Sequence, residues 1–329
     1  MEFREFMRNG VAYRLDPLTH DQCRINPDRA KRLKQAAGGL GLAKLIDATK
    51  EGCPFCPEHV EERTPKFPKE ICQEGRIQIG ETLIFPNLNP FGENHAVAVM
   101  SHAHFLDLDE FDVKMLRDNL MAAKNYVLSV HELDGEAVWP IYIWNHMPPS
   151  AGSIIHPHVQ ILVESEPLPM QAQLLERSEE HLNLTGRNYW EELVEREREL
   201  KDRFIYESNC LSVIASFAPR GFNELQFIFN DESSLVELEE KQISDFASCL
   251  VKALTAYKKF GIGSFNLVTY SGPIGEKLDR YRLSAKLISR PYPAEVYTND
   301  SGPLERLYDV RVIDTLPEMV AENLRPFFA

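Results

Sequence analysis

Asn145-His146-Met147-Pro148-Pro149-Ser150-Ala151-Gly152-Ser153-Ile154-Ile155-His156-Pro157-His158-Val159-Gln160 leads straight into the apolar alternation Val159, Ile161, Val163. In an extended segment residues two apart share a face, so His156, His158 and Gln160 look one way and the three apolar side chains look the other. Two imidazoles and a carboxamide therefore open onto one space. Imidazole can act as nucleophile, proton carrier or metal ligand, and a neighbouring amide can donate to a phosphoryl oxygen. The plain alternative is a strand whose two histidines are merely satisfied by hydrogen bonds.

Upstream, Cys53-Pro54-Phe55-Cys56 has the spacing of half a zinc site. Two thiolates cannot complete a tetrahedral shell. A redox dithiol is the other reading, but such motifs open a helix after a strand, whereas Pro57 and a polar run over 58–64 follow here. The missing ligands are expected to be imidazoles. Candidates at a strand end are His102 and His104, after Val97-Ala98-Val99-Met100, together with His156. A Cys2His2 zinc site is the preferred assembly.

Composition narrows the class. The chain has 329 residues, 43% of them hydrophobic, enough for two ordinary cores. Fifty acids against 36 bases give a formal charge of -14, a poor balance for binding nucleic acid or an anionic membrane, although a local basic pocket could still hold a diphosphate. No secretory h-region opens the chain and no apolar run approaches the ~18 residues of a bilayer span, so a cytoplasmic location is expected. Cys23, Cys72, Cys210 and Cys249 are scattered and read as reduced thiols rather than a disulfide framework.

The periodicity predicts a hairpin over 76–85 turning at Gly80-Glu81, a strand over 96–100, a long helix over 108–133 capped by Asp107 or Asp109, and strands over 138–144 and 158–163. The charged run 190–203 reads as a solvated connecting helix. Strands then recur at 211–217 and 224–229, followed by a helix over 244–260 and strands over 265–270 and 283–289. That order echoes the first half as an internal duplication without a residue-level repeat. His20, His59, His95, His131 and His181 read as surface or satisfied residues; Glu224, before an apolar strand, reads as a surface carboxylate at a strand start or as a site residue of the second copy. His102 and His146 match no expected role.

These motifs, in this order, resemble the galactose-1-phosphate uridylyltransferase family of histidine-triad-like nucleotidyltransferases over most of the chain. Arg14-Leu15-Asp16-Pro17-Leu18-Thr19 and Pro27-Asp28-Arg29-Ala30-Lys31-Arg32 resemble its opening element, whose arginines lie near the nucleotide diphosphate. Cys53-Pro54-Phe55-Cys56-Pro57 resembles its knuckle and Phe85-Pro86-Asn87-Leu88-Asn89-Pro90 its nucleoside loop. Asn145, Ser153, His156, His158 and Gln160 keep its spacing. The resemblance implies an α+β fold of duplicated histidine-triad-like units, with antiparallel sheets and packed helices. It places a catalytic domain with a zinc site over 1–185 and a second domain, without its histidines, over 186–329. It implies Zn2+ held by Cys53, Cys56, His104 and His156 in a structural role, with His158 as the nucleophile that forms a nucleotidyl-histidine. Gln160, Ser153 and Asn145 are the implied donors in catalysis, and with Arg29, Arg32 and Asn87 they make the implied substrate contacts. The implied partners are a nucleoside diphosphate sugar and a sugar 1-phosphate or inorganic phosphate, in galactose-type carbohydrate metabolism, with a homodimer as the assembly.

The chain also departs from that pattern. None of its ten histidines falls after His181, and Ser284 and Lys286 stand where the second copy's imidazoles would be. The family's hexose-gripping Lys-Phe-x-Val-Gly-x-Glu run has no counterpart after Pro291-Tyr292-Pro293, and Leu88 replaces the usual aspartate of the nucleoside loop. Base and sugar therefore stay open. A phosphorylase or hydrolase of nucleoside diphosphate sugars or dinucleoside polyphosphates remains an alternative, as does an inactive zinc-stabilised nucleotide-binding protein. The intact Asn145, Ser153, His158 and Gln160 set argues against the last, because a binding module has little need of a nucleophile.

Overall fold

Alternation of apolar residues with a period of two marks the short segments that pair into one large sheet. A computed structural model describes residues 1–31 and 41–329; Arg32, an expected substrate contact, lies outside the described residues. The sheet has ten strands, in the order Ile77–Ile79, Thr82–Pro86, Asn94–Val99, His158–Glu164, Trp139–His146, Phe265–Tyr270, Ser284–Ser289, Phe222–Phe229, Leu211–Ala215 and Phe204–Glu207. Every neighbouring pair is antiparallel. Each half runs strand, strand, strand, long helix, strand, strand, and in each the last strand inserts between the third and fourth. The two fourth strands, Trp139–His146 and Phe265–Tyr270, pair where the halves meet. The fold is thus α+β and internally duplicated, as expected.

The helices Val113–Leu133 and Glu240–Lys259 lie against one face of this sheet and against each other. Val159, Ile161 and Val163 point into that layer, and their counterparts Ala285 and Leu287 join the same core. Trp144, fully buried at the meeting of the halves, packs its ring against Phe265 at 4.8 Å and Phe111 at 5.0 Å. The opposite face is covered in pieces. Over the first half lies the Cys53–Cys56 turn with Phe55 and Val60. Over the second half lie the helices Pro169–Thr185 and Tyr189–Leu200, with a small sheet of Arg4–Arg8, Val11–Leu15, Gln22–Ile25 and the parallel Arg311–Ile313.

Several expectations need correcting. The first long helix begins at Val113, capped by Asp112, whose carboxylate accepts the Met115 N–H at 2.8 Å. Residues 107–110 form a turn instead, closed by Glu110 N–H on the Asp107 carbonyl; Leu108 and Phe111 still reach the core, which is why they fit the helical period. The polar run after Cys56 is helical, Pro57–Arg63, because Pro57 takes the first helical position, where no N–H is needed. The charged 190–203 segment is not wholly solvated: Tyr189, Trp190, Leu193 and Val194 bury one face of Tyr189–Leu200, and Glu197 is buried with Arg203 at 2.9 Å.

Because one sheet and one core run through both halves, Trp144→Ala should cost about 3–5 kcal/mol. Denaturant unfolding followed by fluorescence and by circular dichroism should give coincident single transitions, shifted to lower denaturant in the variant.

Candidate functional site

The strand Asn94–Val99, the knuckle and the loop before His158 bring four ligand-type side chains to one point. Cys53, Cys56, His104 and His156 are all buried, and their donor atoms lie within 4.8 Å of one another. His156 Nδ1 is 3.6 Å from Cys56 Sγ and 3.9 Å from Cys53 Sγ, and His104 Nδ1 is 3.5 Å from Cys56 Sγ. A tetrahedral zinc ion with ordinary bond lengths sets such sulfur–nitrogen edges at about 3.6 Å. The second nitrogens are also engaged. His156 Nε2–H donates to the Ser101 carbonyl at 2.7 Å, and His104 Nε2 meets the Thr49 hydroxyl at 3.1 Å, so both rings turn Nδ1 inward. Burial, and then the neighbouring Cys53, push the Cys56 thiol up to about 12. Burial likewise pushes His156 down to about 4. Neutral imidazoles with a Cys56 thiol that resists ionising in isolation, beside Cys53, are the donor set a divalent cation stabilises, and zinc fits it. His102, the other candidate, is exposed beside Glu81 and stands outside the cluster.

The same loop places His158. Its Nδ1–H donates to the His156 carbonyl at 2.8 Å, which leaves Nε2 with a free lone pair. Burial lowers its pKa, outweighing the opposite pull of that carbonyl, so the ring is neutral near pH 7. Phe55, from the knuckle, packs edge-on against it with ring centroids 5.2 Å apart. The turn before it is tight. Met147 has φ +73° and Ala151 φ +69°, and a Cβ at Gly152 would sit 2.9 Å from the Asn145 carbonyl oxygen, so only glycine fits there.

Sheet register decides which side chains accompany His158. Gln160 lies opposite Val97 on one side and Ile143 on the other; Asn145, two residues beyond Ile143, shares that face and lies opposite Asn266. His95 Nε2 is 2.9 Å from Gln160 Oε1 and 3.0 Å from Asn87 Nδ2. The Phe91 N–H meets His95 Nδ1 at 3.3 Å, which assigns the ring proton to Nε2 and directs it to the Gln160 oxygen; the Gln160 NH2 is left for the open space. His95 is therefore a buried partner of the site, and its place just before an apolar strand was the available signal. Ser153 is exposed at the loop tip. Arg29 is exposed on the short helix Pro27–Lys31, and among the described residues no hydrogen bond or ion pair joins it to this group. Arg14 of the same opening element is committed elsewhere, buried against Phe217 and paired with Glu5 and Glu318.

On the second half's equivalent face, the expected loss of imidazoles has a replacement. Lys286 Nζ binds Glu224 at 2.8 Å, and Glu224 also accepts the Arg220 N–H at 2.7 Å. Glu224 is buried rather than a surface carboxylate. Arg282, on the same segment, is buried with Glu191 and the Asn230 carbonyl. His146 is a core residue stacked on Phe265, pushed down to about 3 by burial.

No protein-family model matches the chain. It is similar to an uncharacterized protein of Archaeoglobus fulgidus, 28% identical over 98% of this chain and 93% of that one. Among solved structures it is similar to an ADP-glucose phosphorylase from Arabidopsis thaliana with bound ADP-glucose, at TM-score 0.75 and 18% identity over 95% of this chain and 98% of that one. It is also similar to a uridylyltransferase, at TM-score 0.69 and 20% identity over 96% of this chain and 98% of that one. The resemblance read from the sequence holds at the level of the fold. No helix of the described residues is long and apolar enough to cross a membrane.

Cys56→Ala should lose stoichiometric zinc, measured by atomic absorption, and lower the unfolding midpoint, while Cys72→Ala, outside the cluster, should keep both.

Proposed function

We propose that this protein transfers a nucleoside monophosphate from a nucleoside diphosphate sugar through a covalent intermediate on His158. The observation that carries the reading is the bonding of His158 itself. One ring nitrogen is tied to the His156 carbonyl, and the other, unprotonated, opens onto the face shared with Gln160 and Asn145.

Nε2 attacks the α-phosphorus as the bond to the bridging oxygen breaks, releasing the sugar 1-phosphate with the bond's electron pair. The ring keeps its Nδ1 proton and so becomes cationic, and the His156 carbonyl at 2.8 Å faces that charge. The amide N–H groups of Gln160 and Asn145 and the Ser153 hydroxyl suit the phosphoryl oxygens, on which charge spreads in the transition state. Arg29 and Arg32 would approach the diphosphate, and Asn87 would hold the nucleoside loop. An acceptor then attacks the phosphorus from the side the sugar phosphate left, restoring neutral His158. Cys53, Cys56, His104 and His156 would hold zinc, whose contribution is to fix the loop carrying the nucleophile.

The acceptor in this reading is a sugar 1-phosphate, as in the uridylyltransferases, acting in sugar-nucleotide metabolism in the cytoplasm as a homodimer. Inorganic phosphate is the second reading, supported by the likeness to the ADP-glucose phosphorylase and by Leu88, exposed where a carboxylate contact to the nucleoside would stand. In both readings the catalytic domain is 1–185.

Brief incubation with UDP, ADP and GDP sugars, followed by intact-mass measurement, should show a nucleoside monophosphate adduct on the wild type and none on His158→Ala. The variant's turnover should fall by about 10⁴-fold or more with its fold intact. Full activity in the variant would exclude the proposed chemistry.

A further inference from the structure

Asn266 belongs to the second half of the chain, on the strand Phe265–Tyr270, directly across from Asn145. A carboxamide has the same outline whichever way it is turned, so its partners decide which end is oxygen. For Asn266 the partners leave one choice. The Arg290 guanidinium, which can only donate, places Nη1 2.7 Å from Oδ1. The Ser150 carbonyl, which can only accept, lies 2.8 Å from Nδ2. The remaining N–H of Asn266 is then aimed at Asn145 Oδ1, 2.6 Å away. Arg290 is itself fixed by Asp300, through Nε at 2.9 Å and Nη2 at 2.7 Å.

With its oxygen taken from behind, Asn145 has its two N–H groups left over, and among the described residues nothing in the protein accepts them. Asn145 lies on the face that carries Gln160 and Ile143, one strand from His158. An inverted Asn145 would turn lone pairs toward an anionic phosphoryl group and replace attraction by repulsion. We propose that Asn266 is a positioning residue. The second half, which has no imidazole of its own, sets the orientation of Asn145 so that it donates to a phosphoryl oxygen of the substrate. This rests on the nucleotidyl transfer proposed above.

Asn266→Asp keeps the size and reverses the polarity, because a carboxylate would accept from Asn145 and turn its oxygen toward the substrate. Asn266→Ala removes the guide without reversing it. With the donor sugar identified by adduct formation, kcat should fall about 100-fold in Asn266→Asp and about tenfold in Asn266→Ala, with unfolding midpoints and zinc content close to wild type. In an Asn145→Ala background the same changes should matter less than about threefold, since the group they act through is gone. Equal losses in the two backgrounds would overturn the proposal.

A second arm needs no turnover. In protein labelled with ¹⁵N-asparagine, the Asn145 side-chain resonance, assigned by its loss in Asn145→Ala, should shift with added inorganic phosphate in the wild type and stay still in Asn266→Asp. Equal shifts in both would overturn the positioning role. Absence of any adduct in the wild type would overturn the functional reading, and the phosphate titration would then judge the orientation of Asn145 alone.

Discussion

Four buried donor atoms crowd around one point, and much of the site depends on that crowding. Two sulfurs and two imidazole nitrogens, all buried, lie within 4.8 Å of one another, a grouping that a bound cation would stabilise. Burial and the neighbouring Cys53 push the Cys56 thiol up to about 12. Satisfying this cluster joins three distant pieces of chain: the knuckle, the end of an internal strand and the loop before His158. His158 inherits its geometry from that junction. Its Nδ1 partner is the carbonyl of a cluster histidine, and its ring leans on the knuckle's Phe55. In the proposed reading, metal binding would couple folding to the placement of the loop that carries His158.

The duplicated topology explains how the rest of the molecule serves that loop. Both halves present the same face of the same sheet, but they fill it differently. In the first, that face carries His158, Gln160 and Asn145, with the knuckle's Phe55 against the His158 ring. In the second, Lys286 and Glu224 neutralise each other where the imidazoles would be, and the small N-terminal sheet closes over the neighbouring residues Phe217 and Ala218. Because the halves join edge to edge at Asn145 and Asn266, the second half is in direct contact with the face that carries His158.

What was legible in the sequence follows from the range of the interactions involved. Period-two patterning gave most strands of the large sheet closely, since it reflects local alternation of facing sides, and Phe265–Tyr270 matches its reading at both ends; Phe204–Glu207 and the small four-stranded sheet were not read. The cysteine half of the cluster was legible because knuckle spacing is a local constraint of metal geometry, and the family resemblance supplied His104 and His156. Helix starts were less so: Leu108 and Phe111 fit a helical period but pack from a turn, and only the Asp112 cap fixes the true beginning. His95, Asn266 and Glu224 were missed or misjudged because their roles come from cross-strand register, which a single sequence does not display. A polar amide inside the alternation Phe265, Asn266, Leu267, Val268 was a faint signal, because asparagine disfavours strands and needs a reason to be there.

Isotope exchange tests the central claim most directly. With the nucleoside diphosphate sugar and its own labelled sugar 1-phosphate as the sole reactants, a nucleotidyl-His158 intermediate requires label to enter the nucleotide sugar, and His158→Ala should abolish it. Net turnover with an added acceptor but no such exchange would mean a single direct displacement and would contradict the account.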